Sequence, residues 1–577
     1  MTDKDENNLS IERVDDIPVI YGLLERMGIQ AIMDSGIKPH GNWLGLSPGW
    51  VITLWLTHIL SEKNHLMEPV QQWVRSHLLT LTRLSGQPVR ELDFTDDRLA
   101  ICLRELSESA VWQEIEDQLG QRLIRVYDLK TDRLRLDATL GTVHHNPENG
   151  TLFRVGKAKS GLYETQFKVM LASLDPLGLP LVVDVKPGND ADDPLYLPSY
   201  RRAKKMMLRD GILVVGDSKM SALLTRGTIA AGHDSYLAPL ADKKDEPALL
   251  SQLLEAWLER QAEALRVFLP EDLPADDSTP DPNLAIARGF EVTRSRTVMV
   301  KGKEATWDER LLVIQSYSYM KSMLAGLRQR LDKAEAALLA LTPPCQRGKK
   351  QIREKAKLLS AIEQVEKQYR VQGFFQYDSK EEVTERRVRA YKDKPAHVER
   401  QVRYQVTVSR NQPAIKTAEF EAGWRIYATN ESTERLSLSQ AVSAYRDQII
   451  AENVFRRLHS RMLSITPLYV QREDHAQGLI HLLTLGARVL ALGDYLGREA
   501  LAKDGNELAG VYTGNPKRST SRPTTERMLK VFDGINLVIF PPGSRHSTYL
   551  TDLMPVHEHI LALLGLRRSL FSCLQSA

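Results

Sequence analysis

After Tyr127 the hydrophobic pattern of this chain changes period, and that change limits what it can fold into. Residues 133–140 alternate. Residues 166–174 also alternate, with Phe167, Val169 and Leu171 set against Lys168, Met170 and Ala172, and residues 179–185 are almost continuously apolar. Alternation puts every second side chain on one face of a half-buried strand, whereas a short unbroken apolar run suits a strand covered on both faces. The DPLG turn at 175–178 joins the second and third runs as a hairpin. A helix-length segment, 194–209, leads to the apolar run 212–215, which ends in Gly216 and Asp217, and a further helix is expected from Ser218.

Strand, strand, strand, helix, strand, helix, with two hairpin connections and one crossover, is the order of an α/β ribonuclease H-like core. At 577 residues the chain is too long for one core. Upstream, 18–27, 46–62, 67–84 and 97–119 carry apolar residues at three-and-four spacing between Gly and Pro, which predicts an N-terminal all-helical domain over 1–126. Trp43, Trp50, Trp55 and Trp73 lie there on helical spacing and are expected in its core. The core's first part is placed at 127–240 and a large insertion domain at 241–420. The latter contains the acidic stretch PEDLPADDSTPDPN, a helical hairpin (322–340 and 349–369, broken at TPP) and strand-like pieces such as 404–409. The apolar face of that hairpin, Leu324, Leu327, Leu331, Ala334 and Leu338, suits either dimerisation or packing inside the insertion. The core resumes over 421–470 with a strand at 423–429 and a helix at 438–459. A helical C-terminal region, 471–577, contains the polar loop GNPKRSTSRPTTER and closes with a helix at 557–574.

Three cysteines, Cys102, Cys345 and Cys573, are odd in number and far apart. That argues against a disulfide framework, a zinc finger or a CxxC redox site, and fits a reducing cytoplasm. The sequence MTDKDENNLSIERVDD has no basic segment leading into an apolar one, so no secretory signal is expected, nor is a membrane span. Net charge is only +3, but 386–410 has eight Lys/Arg against two acids and 347–357 has six against one. Blocks of this kind neutralise phosphates or form a solvated face.

Three acids carry the chemistry: Asp137 in RLRLDATLG, Asp217 in ILVVGDSKMS and Glu452 in YRDQIIAENVFRRLHS. Attack on a phosphodiester needs an activated oxygen nucleophile and compensation for charge on the entering and leaving oxygens. Two Mg²⁺ ions about 3.5–4 Å apart supply both, with Mn²⁺ the alternative, held by a few carboxylates on rigid elements. Asp137, on the central strand, is the expected bridging ligand, with Asp217 and Glu452 each completing one metal shell. On one continuous helix, at about 100° per residue, Tyr445, Gln448, Arg456 and His459 share the face of Glu452 and offer donors and an aromatic to DNA phosphate. Lys219 is read as a phosphate contact or as a solvated helix start. His144 and His145 are read as ordinary loop residues, with approach to the scissile phosphate the alternative. Asp190, Asp192 and Asp193 follow a PGN turn and are expected to cap the helix beginning near Pro194 rather than join the site.

The succession DAT, PGNDADDPLYLP, VVGDSKMS, ATN (428–430) and Y-x6-E-x2-F-R resembles bacterial insertion-sequence DDE transposases with the YREK signature. The N-terminal IERVDDIPVIYGLLERMGIQ resembles the helical region that precedes the core in one subfamily. The resemblance implies a ribonuclease H-like core interrupted before its catalytic Glu by a largely β insertion. It also implies a homodimer on double-stranded DNA that cleaves at terminal inverted repeats and joins the ends to target DNA. Related transposases stack a flipped base on a tryptophan of the insertion. Trp307, amid KGKEATWDER, is the candidate here, with Trp257 and Trp424 assigned to the core. Two positions depart from the signature: Gln448 stands where Arg is expected and His459 where Lys is expected. Each replaces a fixed cation by a group that is mostly neutral at pH 7, leaving Arg456 and Arg457 to supply charge. A catalytically impaired DNA-binding relative and a ribonuclease H-like nuclease without strand transfer are the alternatives.

Overall fold

The computed structural model describes residues 9–147, 150–158, 161–240, 248–261, 263–274, 278–344, 351–390, 395–447, 449–541 and 547–575. The protein is mixed α/β and divides into two compact units. One comprises Met1–Ala238, Ser295–Asp308 and Ser443–Ala577; the other comprises Pro239–Arg294 and Glu309–Val442.

In the first unit, five strands follow one another in the chain: β1 (Arg133–Thr142), β2 (Tyr163–Leu174), β3 (Leu179–Pro187), β4 (Leu213–Gly216) and β5 (Ser235–Pro239). Their spatial order is β3-β2-β1-β4-β5. The pairs β1/β2 and β2/β3 are antiparallel, and β1/β4 and β4/β5 are parallel. The β2–β3 turn closes on Gly178, whose φ of +67° is open to glycine at little cost and whose N–H donates to the Leu174 carbonyl at 2.8 Å. A parallel step cannot be made by a tight turn, so β3 reaches β4 and β4 reaches β5 through helices. A short strand, Arg154–Lys157, pairs with the start of β2.

Five helices of this unit bear on the site: α1 (Ser109–Val126), α2 (Tyr196–Met207), α3 (Leu223–Ala231), α4 (Ile449–His459) and α5 (Glu473–Asp504). Among the described residues α5 is the one helix long and apolar enough to cross a membrane, yet 89% of its apolar stretch is buried within the fold. It packs so closely on the helix Asp96–Ser107 that a Cβ at Gly478 would lie 1.9 Å from the Leu103 carbonyl oxygen. The helices read as a separate N-terminal domain fall in this same unit. Pro48–Glu62 among them is buried around nearly its whole circumference, with Trp55 fully buried. The strand Ser10–Arg13 pairs with Asn536–Ile539, tying the two distant chain segments together.

Four expected helices are broken in two, among them the closing 557–574 segment, which forms Pro555–Leu563 and Ser569–Ser572. The 67–84 segment forms Glu68–Arg75 and Leu78–Ser85, and the 97–119 segment breaks at Glu108. The 438–459 segment forms Leu438–Arg446 and α4, with the Asp447 carbonyl accepting from the Ile450 N–H at 2.8 Å to start the second helix.

In the second unit, Trp424–Thr429 pairs antiparallel with Arg310–Gln315. The helices Tyr317–Leu339 and Lys355–Tyr369 pack on a two-stranded ribbon, Phe375–Val388 with His397–Arg410. Leu327, Leu331, Ala334 and Leu338 share a buried cluster with Phe375, Tyr404 and Val406, so that helix face is occupied within the unit. Trp257, Phe290 and Trp424 pack together with ring centroids 5.2–5.9 Å apart.

Candidate active site

Leu136 of β1 pairs with Gly216 of β4 in parallel register, so Asp137, within β1, has Asp217, the first residue past the end of β4, as its neighbour. β4 ends at Gly216, and Asp217 caps the short turn Ser218–Ser221, its Oδ1 accepting from the Lys219 N–H at 2.9 Å. The same oxygen accepts from the Tyr196 hydroxyl at 2.6 Å. Tyr196 is the first residue of α2 and almost fully buried. Burial, then the charge of Asp217 and a hydrogen bond to it, pushes its hydroxyl far above the usual phenol range, so it remains a donor. The Asp137 Oδ1 accepts from the Ala138 N–H at 2.8 Å.

Glu452 is exposed on α4. With Asp137, Asp217, Glu164, Arg456 and His459 it lines one cleft of about 690 Å³. A second arm of about 340 Å³ also touches Asp137 and Asp217 and is walled by Gln166, Lys168, Asp190, Asp192 and Tyr196. Lys168 donates to the Asp192 carboxylate and the Asp190 carbonyl. Asp192 makes no side-chain cap on the following turn, which corrects the capping expectation: its carboxylate is spent on Lys168, and the loop forms a wall of the cleft. Sequence reasoning missed Glu164, Lys168 and Tyr196; Tyr196 lies inside the quoted PGNDADDPLYLP segment, which was its available signal.

Other expected site residues are placed differently. Tyr445 sits on Leu438–Arg446, beyond the break at Asp447, and is absent from both cleft walls, so the single-helix argument joining it to Glu452 does not hold. Gln448 lies outside the described residues. Lys219 is exposed, holds Asp217 through its backbone, and lines neither arm. Trp307 is half-buried rather than open: its Nε1 donates to the Tyr236 hydroxyl at 2.9 Å, and its ring fits where Gly227 has no side chain. Arg457, next to the cleft-lining Arg456, points its guanidinium into ion pairs of 2.8 Å with Asp494 and Glu526, so its charge serves the fold. His145 bonds the Val470 carbonyl at 2.7 Å and stacks on Phe153, while His144 is exposed.

Carboxylate oxygens are the donors a hard divalent cation requires. Among the described residues no three His, Cys, Asp or Glu converge as a ready-made cage. Mg²⁺ is commonly held by one or two carboxylates, with water and substrate phosphate filling the remaining positions. The donor set therefore fits such an ion in kind, with Asp137 and Asp217 as the neighbouring pair and Glu452 across the cleft.

Tyr196→Phe is expected to free the Asp217 carboxylate to rotate. Groups that orient a metal ligand typically contribute about 10–100-fold in metal affinity or activity. Half-saturation by Mg²⁺ in a DNA-cleavage assay should rise by that order, with metal-free DNA affinity unchanged. A rate and Mg²⁺ dependence both equal to wild type would mean that Tyr196 serves packing alone.

The sequence matches no family model and no curated protein. Among solved structures it is similar to a piggyBac transposase in a synaptic complex with hairpin DNA, determined by cryo-EM. The identity is 8% and the TM-score 0.33, over 91% of this chain and 82% of that one. A likeness this slight defines no fold.

Proposed function

We propose that this chain is a DDE-type transposase, a divalent-metal-dependent enzyme that cleaves DNA at the ends of a mobile element and joins them to target DNA. The observation that carries the reading is the meeting in one cleft of Asp137, on β1, Asp217, just past the end of the adjacent parallel β4, and Glu452. The strand order β3-β2-β1-β4-β5, antiparallel for the first three and parallel thereafter, supports a ribonuclease H-like core. The excursion of the chain into a second unit between β5 and α4 supports an insertion ahead of the third acid.

Mg²⁺ or Mn²⁺, when bound, would activate the attacking oxygen and offset charge on the leaving one. Asp137, Asp217 and Glu452 would hold the ions, and Tyr196 would fix the rotamer of Asp217. Arg456, exposed at the cleft, would bind a non-bridging phosphate oxygen, and His459 would add a hydrogen bond. The partner would be double-stranded DNA, with terminal repeats bound by the N-terminal helices and two copies of the chain holding two ends.

One observation favours the catalytically impaired reading: Arg457 is committed to Asp494 and Glu526 and cannot stand in for the missing signature cations. The deciding experiment incubates end-labelled duplex carrying the element's ends with Mg²⁺ and a target duplex. Cleaved and joined products from the wild type, absent with Glu452→Gln, are expected. Cleavage without joining would favour the nuclease alternative, and binding without either would favour the impaired one.

A further inference from the structure

The ribbon Phe375–Val388/His397–Arg410 is longer than its packing explains. Fourteen paired residues span about 46 Å at roughly 3.3 Å each. Phe375, Tyr404 and Val406 enter the buried cluster under the two helices, with Tyr377, Val402 and Val408 packed against it. From Ser379 to Arg387, and again over 395–400, every described residue is exposed. A two-stranded ribbon with solvent on both faces has almost no core to offset the entropy of ordering it. The outer half therefore calls for a partner.

Its charge indicates which kind. The ribbon as a whole, 375–410, has nine Lys/Arg against six acids, a net +3 that equals the total of the entire chain. Part of that charge is answered internally: Arg410 pairs with Asp332 and Glu335 at 2.6 Å, and Arg403 lies 3.7 Å from Glu382. Across the strands Arg386 faces Glu399 on one side of the ribbon. On the other side Arg400 faces Glu385, while Arg387 stands opposite Val398 beside exposed Val383, and exposed Arg389 follows at the strand end. One face of the outer ribbon is thus cationic with an apolar stripe.

We propose that the outer half of this ribbon is a DNA-gripping arm, its Arg387/Arg400 face laid in the groove of a B-form duplex. A major groove about 12 Å wide admits a two-stranded ribbon, whereas the deep, narrow groove of duplex RNA does not. Choosing DNA among polyanions rests on the proposed function, but the arm can be tested without cleavage.

The test is fluorescence anisotropy of a random-sequence duplex with the full chain in EDTA, titrated at several salt concentrations. The wild type is compared with Arg387→Ala/Arg389→Ala/Arg400→Ala and with Arg386→Ala as the control on the opposite face. All four residues are exposed, so the variants should fold. Each lost phosphate contact removes about 0.9 from the slope of log K against log salt. The triple variant should lose about 2–3 in slope and at least tenfold in affinity at low salt, and the control at most about 1. An unchanged slope, or a wild type that does not bind duplex, overturns the arm. A change of oligomeric mass with unchanged slope also overturns it and assigns the face to a second copy of the chain. Cleavage in Mg²⁺ alongside an unchanged slope would sink the arm and leave the proposed function standing.

Discussion

Asp137→Asn is expected to lower DNA cleavage by about 10³-fold or more while leaving metal-free DNA affinity within about twofold. The substitution is nearly isosteric, and the amide oxygen can still accept from the Ala138 N–H, so β1 and its pairing with β2 and β4 should survive. What disappears is one negative charge at the position from which a cation would be shared. A factor of 10³ corresponds to about 4 kcal/mol of transition-state stabilisation, within the several kcal/mol a catalytic metal supplies. Asp217→Asn and Glu452→Gln should give the same phenotype. Asp192→Asn should cost far less, although Asp192 walls the same cleft, because Lys168 already neutralises its carboxylate. The measurement is single-turnover cleavage of labelled duplex at saturating protein and Mg²⁺. Activity of Asp137→Asn within tenfold of wild type would remove Asp137 from the chemistry and with it the site as drawn. Equal losses in Asp137→Asn and Asp192→Asn would point to a general electrostatic effect of an acidic cleft.

Strands β1 to β4 were legible because each is a short apolar or alternating run closed by a turn or an acid, and period-2 patterning survives without knowledge of neighbours, whereas β5 and the short strand Arg154–Lys157 were not read from the sequence. Asp137 and Asp217 could be singled out for the same reason: each interrupts or ends such a run. The break between Arg446 and Ile449 was not legible, because 438–459 keeps helical spacing on both sides of it, and a helical wheel drawn across the break joins Tyr445 to Glu452. Nor does spacing distinguish Arg456 from Arg457. One faces the cleft and the other is half-buried against Asp494 and Glu526, and only those partners decide it. Lys168 with Asp192, and Tyr196 with Asp217, are tertiary meetings that no local pattern encodes. The standing of the N-terminal helices could have been read: Pro48–Glu62 is apolar around nearly its whole circumference, and such a helix needs cover on almost every side. Trp307 was judged by its charged neighbours in sequence, whereas its indole hydrogen-bonds the buried Tyr236.

Glu116→Ala should be the most damaging single change to the fold outside the apolar core, costing about 3–5 kcal/mol. Glu116, on α1, is fully buried behind the sheet that carries Asp137. Its carboxylate accepts from the Val183 N–H of β3 at 3.1 Å, from Arg202 of α2 and from Arg488 of α5. Arg488 is 2% exposed, donates to the Pro180 carbonyl at 2.8 Å and lies over the Trp112 ring at 5.4 Å. One carboxylate therefore joins three helices and a strand. Its removal leaves the Arg488 guanidinium buried without a counter-charge. Arg202 is less stranded, because Asp184 also holds it at 2.6 Å. If the cost comes from the orphaned charge rather than from lost contacts, the two changes must be strongly non-additive. Glu116→Leu/Arg488→Met, which removes both charges at similar volume, should unfold closer to wild type than Glu116→Ala does. Urea denaturation followed at α5 by hydrogen exchange checks this. A double variant as unstable as the sum of the singles would mean that the cluster acts through shape and hydrogen bonding. A double variant more stable than wild type would mean that the ion pair is retained for the position it gives β3 and α2, and through α2 for the hold of Tyr196 on Asp217.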